Sequence, residues 1–357
     1  MNTASDPIIR RPERLNEIVR AIFMAAGSSE REAALVADHL VEANLKGHDS
    51  HGVGMIPAYI DNARTGALTL NQSLSVVLDA GPLIICDGLV GLGQAMAHDA
   101  MSIGIERAHA TGACILGLRN SHHIGRIGHW AEQCAAAGLV SIHFVNVVSE
   151  PSVAPFGGTQ ARVGTNPFAV GIPRAQEPPV IVDFATSRLA MGKVRVAFNK
   201  GEPVPPGTLL DASGQPTNDP SVMFAEPIGA LLPFGEHKGW GLSLACELLG
   251  AALTGGKTQS GPKRGNAIIN SMFSVLVSPE RLGTEASFND EIDAFVAWAQ
   301  SGATKAMQVL LPGDPERTIK QQRERDGIPI DQTTWNQIVA VAEAVGVTDL
   351  GHEGANI

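Results

Sequence analysis

The sequence predicts an α/β fold with a mixed β-sheet at its centre, beside a helical layer built from both chain ends. The 357-residue chain is 44% hydrophobic and 17% charged, which suits a sizeable core and is too little charge for a disordered chain. Helical spacing dominates the first quarter and the residues after about 288, and strand patterns alternate with helices between them. The length indicates two domains. We place them at 1–70 with 290–357, the helical layer, and at 71–289, the mixed α/β domain.

The N-terminal quarter contains three predicted helical stretches. Apolar residues recur with helical spacing over 12–26. Ser29 followed by Glu32 forms a capping box that opens the second helix, and Gly47 is placed to end it. A third helical stretch covers about 53–63.

The centre of the chain alternates between the two periodicities. Short strands are predicted at 74–78, 83–86, 113–118 and 139–148, with apolar strands at 180–184 and 268–277. The helices between them are predicted at 94–110, at about 128–137 and at 240–253. After about 288 the chain returns to helices, interrupted at 309–313.

Charge and cysteine content exclude several classes of protein. Lys plus Arg total 26 against 36 Asp plus Glu, a net charge of −10, so neither nucleic acid nor an anionic membrane is an expected partner. The sequence has no apolar run long enough to span a membrane and no secretory signal at its start. The four Cys are scattered without a C-x-x-C motif, which predicts buried thiols in a reducing compartment and a cytoplasmic protein.

Two nucleotide-binding motifs are absent. Residues 91–96 begin like a dinucleotide fingerprint but lack its third Gly, and no acidic residue lies at the required distance after them. A Rossmann site is therefore excluded. Gly256-Lys257-Thr258 resembles the end of a phosphate loop, but it comes after a predicted helix instead of a strand.

Histidines mark the predicted site. Two short polar segments bounded by Gly hold five of the eleven His: His48, His51, His122, His123 and His129. Histidine is the side chain whose proton moves near neutral pH, and Gly-bounded loops can approach a ligand closely. Ser50 precedes His51, and in a turn its hydroxyl can orient the imidazole. Asp49 is interpreted as a helix N-cap.

Three further segments suggest ligand contacts. Asp183 ends an apolar strand, where a carboxylate needs a partner, so it either fixes a His tautomer or caps the next segment of the chain. Residues 164–168 have the composition of a turn whose polar side chains could meet a ribose or phosphate, although the pattern favours a plain turn. His237 and Lys238 stand at a helix start, which is electrostatically unfavourable unless an anion such as a pyrophosphate binds there.

Taken together, these segments resemble the malate/L-lactate dehydrogenase family of NAD(P)-dependent oxidoreductases, whose fold is not Rossmann. The matching stretches occur in the family's order and are residues 47–53, 120–125, 164–168, 183–187 with 192–193, and 237–239. The resemblance implies the mixed-sheet fold of malate/L-lactate and sulfolactate dehydrogenases, with residues 71–289 binding the cofactor. It also implies a homodimer that acts on a small 2-oxo or 2-hydroxy acid, with NAD as the cofactor and NADP as the alternative.

The resemblance also implies roles for individual residues. His51 is the expected acid/base, oriented by Ser50 and Asp183. No metal ligand is expected. The residues expected to line the cofactor are His123, Gly125, Arg126, Ile127, Thr165, Asn166, Pro167, Ile181, Val182, Phe184, Ala185, His237, Lys238, Asn270, Gly313, Asp314 and Glu316.

One position departs from the family pattern. Many relatives place an Arg three residues after the Gly of the S-H-G motif, where it grips the substrate carboxylate, but this chain has Met55. We hypothesise that Arg126 supplies the missing charge and binds substrate together with His51, since an Arg can grip a carboxylate with two hydrogen bonds. The hypothesis predicts that Arg126→Ala raises KM for a 2-oxo acid far more than KM for NADH.

Three other functions stay open at this point. A cyclic imine reductase of the piperideine- or pyrroline-2-carboxylate type would use the same scaffold. A metal hydrolase would ligate zinc through the clustered His, but no recognised ligand spacing supports it. A noncatalytic binding protein would not need Ser50, His51 and Asp183.

Overall fold

A computed structural model describes residues 7–304 and 307–350. The strands are β1 (Ile8–Arg10), β2 (Ser75–Ala80), β3 (Leu83–Asp87), β4 (Ala113–His122), β5 (Val140–Val148), β6 (Phe168–Ile172), β7 (Val180–Phe184), β8 (Leu209–Leu210), β9 (Pro216–Thr217), β10 (Ala230–Leu231), β11 (Ile269–Val277) and β12 (Ile328–Ile330). The helices are α1 (Pro12–Ala25), α2 (Glu30–Leu45), α3 (Ile56–Arg64), α4 (Gly93–Thr111), α5 (Gly128–Ala136), α6 (Met191–Lys200), α7 (His237–Glu247), α8 (Pro279–Leu282), α9 (Glu285–Gln300), α10 (Asp314–Asp326) and α11 (Gln332–Ala344).

A seven-stranded mixed sheet forms the centre of the molecule. Its strand order is β2-β3-β4-β11-β5-β6-β7, and only β3 and β4 run parallel to each other. Strand β11 comes from late in the chain and inserts between β4 and β5. The largely antiparallel pairing confirms the predicted mixed sheet and differs from the parallel, doubly wound sheet of a Rossmann domain.

The sheet is covered on both faces. Helices α4 and α5 bury one face, where the core includes Leu116, Leu118, Val145 and Met272. Helix α7 and the π-helical turn that succeeds it at Leu248–Leu253 pack on the other face. Strand β7 lies at the sheet's edge, so its outer backbone groups are available to partners other than a further strand of the sheet.

The chain ends form the predicted helical layer. Strands β1 and β12 pair antiparallel and join the two ends, and α1, α2, α3 and α11 enclose a second apolar core. Ser29 Oγ accepts a hydrogen bond from the Glu32 backbone N–H at 3.3 Å, as the capping motif predicts. Helix α9 contributes no residue to this second core; its Asp293 instead pairs with Arg174, just after β6, at 2.7 Å. The division into two domains stays a prediction.

The stretch after the first His loop is less regular than predicted. Two 3-10 turns, Asp49–His51 and Val53–Met55, precede α3. The cause is Asn44 in α2, whose Oδ1 accepts a hydrogen bond from the Val53 N–H at 2.8 Å. A side chain at Gly52 would place its Cβ 2.1 Å from that oxygen. This close approach interrupts the helix and fixes the loop that carries His51.

All four cysteines are buried and free, as their scattering predicts. None of the helices within the described ranges is long and apolar enough to cross a membrane.

Buried histidines should make stability depend on pH. His143 is fully buried between Ser141 and Ser274, and burial lowers its pKa to about 3. The unfolded chain takes up a proton below about pH 6.5 while the folded chain stays neutral, so stability is complete above that pH and falls as the pH drops towards 3. We expect urea unfolding at pH 5.5 to show a lower free energy of unfolding than at pH 7.5. His143→Asn, which cannot titrate, should show a smaller pH dependence. If the free energy of unfolding of His143→Asn changed with pH as much as that of the wild-type protein, His143 would not be the group responsible.

Candidate active site

The first His loop is anchored from two sides. The Asp49 carboxylate accepts a hydrogen bond from Asn44 at 2.6 Å and pairs with Arg323 of α10 at 2.6 Å. Asp49 is therefore not the predicted N-cap: His48 holds that position, and the Asp49 side chain ties the loop to neighbouring helices instead. His48 in turn lies 3.5 Å from Glu316 at the start of α10.

His51 is half-buried and oriented by its neighbour. Ser50 Oγ lies 3.0 Å from His51 Nδ1. Gly192 packs directly on Ser50, because a Cβ there would sit 2.1 Å from the Ser50 Cβ. His51 Nε2 has no hydrogen-bond partner among the described residues and is not fully enclosed, so it is left accessible to a ligand. Burial, helped by the charges of His48 and Arg126, lowers the pKa of His51 to about 4.

The second His loop lies against the first. The rings of His51 and His123 stack with centroids 5.6 Å apart. The turn after His123 is held by His39 of α2, whose Nε2 accepts a hydrogen bond from the Arg126 N–H at 2.9 Å. Gly125 has φ +75°, and a Cβ there would lie 2.1 Å from His39 Nε2, so only glycine fits.

Asn270 supports this loop from the sheet. Its Oδ1 accepts a hydrogen bond from the Ile124 N–H at 2.9 Å, and its Nδ2 donates to the Asn146 carbonyl at 2.9 Å. Both groups are occupied and the side chain is only 2% exposed. The amide therefore positions the loop, and its predicted contact with the cofactor stays a prediction.

Asp183 lies at the end of β7 beneath the two loops. Its carboxylate accepts a hydrogen bond from the Gly128 N–H at 3.0 Å and lies 3.6 Å from Arg126 Nη1. Burial raises its pKa, and the Arg126 charge opposes that rise. The described contacts join Ser50 to His51 but do not join Asp183 to either residue. Asp183 therefore fastens the start of α5, and its predicted place in a relay stays a proposal.

Arg126 is neutralised within the protein. Its guanidinium is 3% exposed, contacts Glu132 and Asp183, and shares Glu132 with Lys46, which lies 2.7 Å from that carboxylate. Because two carboxylates of the protein already balance the guanidinium charge, its net attraction for a substrate carboxylate is small. The geometry favours a structural role over the grip on the substrate carboxylate that we hypothesised from the sequence.

The segment at 311–317, near the C-terminus, contacts the site at β7 and at the first His loop. The Ile181 N–H donates to the Pro312 carbonyl at 3.1 Å, which places the turn at Gly313 beside the outer edge of β7. Asp314 accepts hydrogen bonds from Leu311 at 2.7 Å and from Arg317 at 2.6 Å, so it stabilises its own turn.

The segment at 164–168 hydrogen-bonds to the chain just after β7 and to neighbouring elements. Asn166 is fully buried; its Oδ1 accepts from the Val147 N–H at 3.0 Å and its Nδ2 donates to Glu247 at 2.8 Å. The Thr165 carbonyl accepts a hydrogen bond from the Thr186 N–H at 2.9 Å. The Asn166 side chain is thus unavailable for the predicted ribose or phosphate contact.

Aromatic side chains continue the surface beyond β7. Phe184 is 36% exposed and packs against Phe234, with ring centroids 5.4 Å apart. The Phe234 N–H donates to the Thr186 carbonyl at 3.0 Å, which ties the loop before α7 to the end of β7. His237 and Lys238 are exposed at the start of α7, and the described contacts do not join them to the His loops.

Several residues of the site were not predicted from the sequence. Tyr59, the chain's single tyrosine, bonds His123 Nδ1 through its hydroxyl at 2.5 Å, and Gln94 Nε2 donates to that hydroxyl at 3.1 Å. His39 and Glu132 were not predicted either. No group of His, Cys, Asp and Glu in the described ranges is arranged to hold a metal ion.

Comparisons with known proteins identify the family. The malate/L-lactate dehydrogenase family model matches residues 11–339. Hydroxycarboxylate dehydrogenase B of Escherichia coli (strain K12) is 47% identical over 94% of this chain and 94% of its own length. A solved structure from E. coli described as a malate/lactate dehydrogenase superposes with a TM-score of 0.91, at 46% identity over 96% of both chains.

A reductase shares the same fold. The structure of Δ1-piperideine-2-carboxylate reductase from Pseudomonas syringae pvar. tomato superposes with a TM-score of 0.84, at 30% identity over 94% of this chain and all of that one. The His loops, the mixed sheet and the family match agree. The chain belongs to the malate/L-lactate dehydrogenase family and is an oxidoreductase.

Proposed function

We propose that this protein interconverts a 2-hydroxycarboxylate and a 2-oxocarboxylate by NAD-dependent hydride transfer, with His51 as the acid/base. The observation that carries the proposal is the pairing of His51 with Ser50 at Nδ1 while Nε2, beside His123, has no partner among the described residues. The similarity to hydroxycarboxylate dehydrogenase B supports the substrate class.

His51 moves the proton of the reaction. With Nδ1–H donated to Ser50 Oγ, the neutral ring presents the Nε2 lone pair to the hydroxyl of a 2-hydroxy acid. It takes that proton as the hydride leaves C2, and in the reverse direction it returns the proton to the carbonyl oxygen. The low pKa keeps the ring neutral at pH 7, which suits the base.

The described residues fit a nicotinamide cofactor. When bound, NAD supplies the hydride acceptor. The Ile181 N–H donates to the Pro312 carbonyl on the outer side of β7. Backbone groups on one side of a strand recur at every second residue, so the N–H and C=O of Asp183 also point away from β6. A carboxamide carries one acceptor and one donor group, which matches these two backbone groups at the edge of β7.

Other residues would hold the rest of the cofactor. We propose that the turn of Gly125, Arg126 and Ile127, the backbone at Val182–Ala185 and the turn at Gly313 line it, with Glu316 at the rim beside His48. The N-terminus of α7, with the exposed His237 and Lys238, suits the pyrophosphate because the positive end of the helix dipole and the Lys238 ammonium attract anions.

A coupled assay tests this function. Oxidation of NADH and of NADPH is monitored at 340 nm with 2-oxo acids that carry small, aliphatic or aromatic side chains. We expect turnover of at least one acid, with a higher kcat/KM for NADH than for NADPH. No turnover of any acid with either cofactor would overturn the proposal.

The pH dependence should differ between the two directions. Oxidation needs neutral His51, and a pKa of about 4 keeps kcat/KM for a 2-hydroxy acid on its plateau from pH 6 to 8. Reduction needs the protonated ring, so kcat/KM for the 2-oxo acid should fall about tenfold per pH unit over the same range. The Kd for NADH, measured in parallel, controls for cofactor binding. An oxidation profile that rises with an apparent pKa near 7 would contradict this assignment.

A second candidate arises from the fold neighbour. Because the piperideine-2-carboxylate reductase shares 30% identity, a cyclic imine with a carboxylate is the alternative substrate. A 2-oxo acid and a cyclic imine assayed at equal concentration discriminate between them. A larger kcat/KM for the imine would favour the reductase.

We further propose a homodimer in the cytoplasm. The four cysteines, none of them in a disulfide, agree with that location. Light scattering on the purified protein measures the oligomeric state.

A further inference from the structure

The segment at 91–96, which is not a dinucleotide fingerprint, supports the second His loop. Helix α4 starts at Gly93, where a Cβ would lie 2.0 Å from the His123 carbonyl oxygen and 2.4 Å from that of His122. Backbone atoms cannot move aside as a flexible side chain can, so only glycine allows this approach. The contact places Gln94, in the first turn of α4, beneath the loop.

Gln94 and Tyr59 together set the protonation of His123. The Gln94 amide donates to the Tyr59 hydroxyl oxygen at 3.1 Å, and that hydroxyl lies 2.5 Å from His123 Nδ1. A phenol has a single proton. In the described contacts its hydroxyl meets one donor, the Gln94 amide, and one group able to accept, His123 Nδ1, so we assign the phenol proton to the bond with Nδ1. The neutral imidazole of His123 then carries its own proton on Nε2.

Burial keeps this arrangement in place. Tyr59 is 1% exposed and Gln94 is 1% exposed, so water does not compete for either group. Burial also lowers the pKa of His123 well below its usual range and raises that of Tyr59 beyond its own. Both groups therefore stay neutral throughout the working pH range.

The remaining nitrogen of His123 is left without a protein partner in the described ranges, next to His51. Nε2 has no hydrogen-bond partner among the described residues, and it is not among the enclosed polar atoms. Its ring stacks on His51 at 5.6 Å. His51 thus presents an acceptor and His123 a donor, side by side.

We propose that His123 Nε2–H holds the carboxylate of the 2-oxo acid in place of the arginine that Met55 replaces, with Tyr59 and Gln94 as positioning residues that fix its tautomer. The inference rests on the proposed function. Its consequence is a carboxylate bound by a neutral hydrogen bond instead of an ion pair. Arg126, already neutralised by Glu132 and Asp183, is not needed for this task.

The tautomer can be read without turnover. Nitrogen-15 NMR distinguishes an imidazole protonated at Nε2 from one protonated at Nδ1, and His123→Gln assigns the signal. We expect the Nε2–H form in the wild-type protein and a mixture in Tyr59→Phe. An Nδ1–H form in the wild-type protein would overturn the relay, whatever the enzyme's activity.

Kinetics test the role of the relay in binding. We expect Tyr59→Phe and the milder Gln94→Met to raise KM for the 2-oxo acid about tenfold, with kcat changed less and the Kd for NADH unchanged. Asn62→Ala is the control, since it removes a comparable buried contact of α3, 3.1 Å from His122 Nε2, but no hydrogen bond of the relay itself. An equal rise in KM for the 2-oxo acid in all three variants would overturn the proposal, and so would an unchanged KM in Tyr59→Phe and Gln94→Met. A wild-type protein inactive on every 2-oxo acid would instead overturn the proposed function.

Discussion

Replacing His51 by asparagine is expected to lower kcat for 2-oxo acid reduction at least about a hundredfold, the scale of losing a general acid. Asparagine fills similar space and keeps a hydrogen-bonding group near Ser50, but it cannot exchange a proton at the position of Nε2. The Kd for NADH should stay within about twofold of the wild-type value, since the cofactor contacts proposed above come chiefly from β7 and the turns beside it.

The measurement compares steady-state kinetics with cofactor binding monitored by fluorescence. His98→Asn is the matched control, because it makes the same chemical change at a part-exposed histidine of α4 that bonds Asp99. A His51→Asn variant with near-normal kcat, or one that loses NADH binding in proportion to kcat, would show that His51 does not act as the acid/base.

Arg126→Met is expected to lower the free energy of unfolding by about 3–5 kcal/mol, the usual cost of removing one member of a buried ion pair. The guanidinium is 3% exposed between Glu132 and Asp183, and without it two carboxylates remain in a poorly solvated site. Urea unfolding at pH 7.5 measures the loss.

A second substitution separates charge from packing. If the unpaired Glu132 charge causes the loss, Arg126→Met combined with Glu132→Gln should recover part of the stability. The result that contradicts this account is a stable Arg126→Met protein whose KM rises for the 2-oxo acid and not for NADH. That result would restore the carboxylate grip expected from the sequence.

Local signals in the sequence predicted much of the fold. The Ser29 capping motif, the apolar spacing in α1 and the apolar run at 180–184 each correspond to an observed element. The position of β11 between β4 and β5 could not be predicted, because it depends on pairing between strands more than a hundred residues apart.

The loops of the candidate site could also be predicted from the sequence, but the contacts between them could not. Clustered His and Gly indicated the two loops that the fold brings together. Nothing local indicated that Tyr59 and Gln94 meet at His123, since that contact depends on how α3 and α4 pack. Asn166 and Asn270 show a second limit, because a sequence does not reveal whether an amide faces a ligand or already bonds other groups of the protein.

Isotope transfer tests the central claim most directly. NADH deuterated at both C4 positions is mixed with the enzyme and the 2-oxo acid that gives the highest turnover, and the product is examined by mass spectrometry. Direct hydride transfer predicts a 2-hydroxy acid with one deuterium at C2. A product without deuterium would contradict the proposed reaction. So would deuterium that appears only in the cyclic amine formed when a cyclic imine replaces the 2-oxo acid.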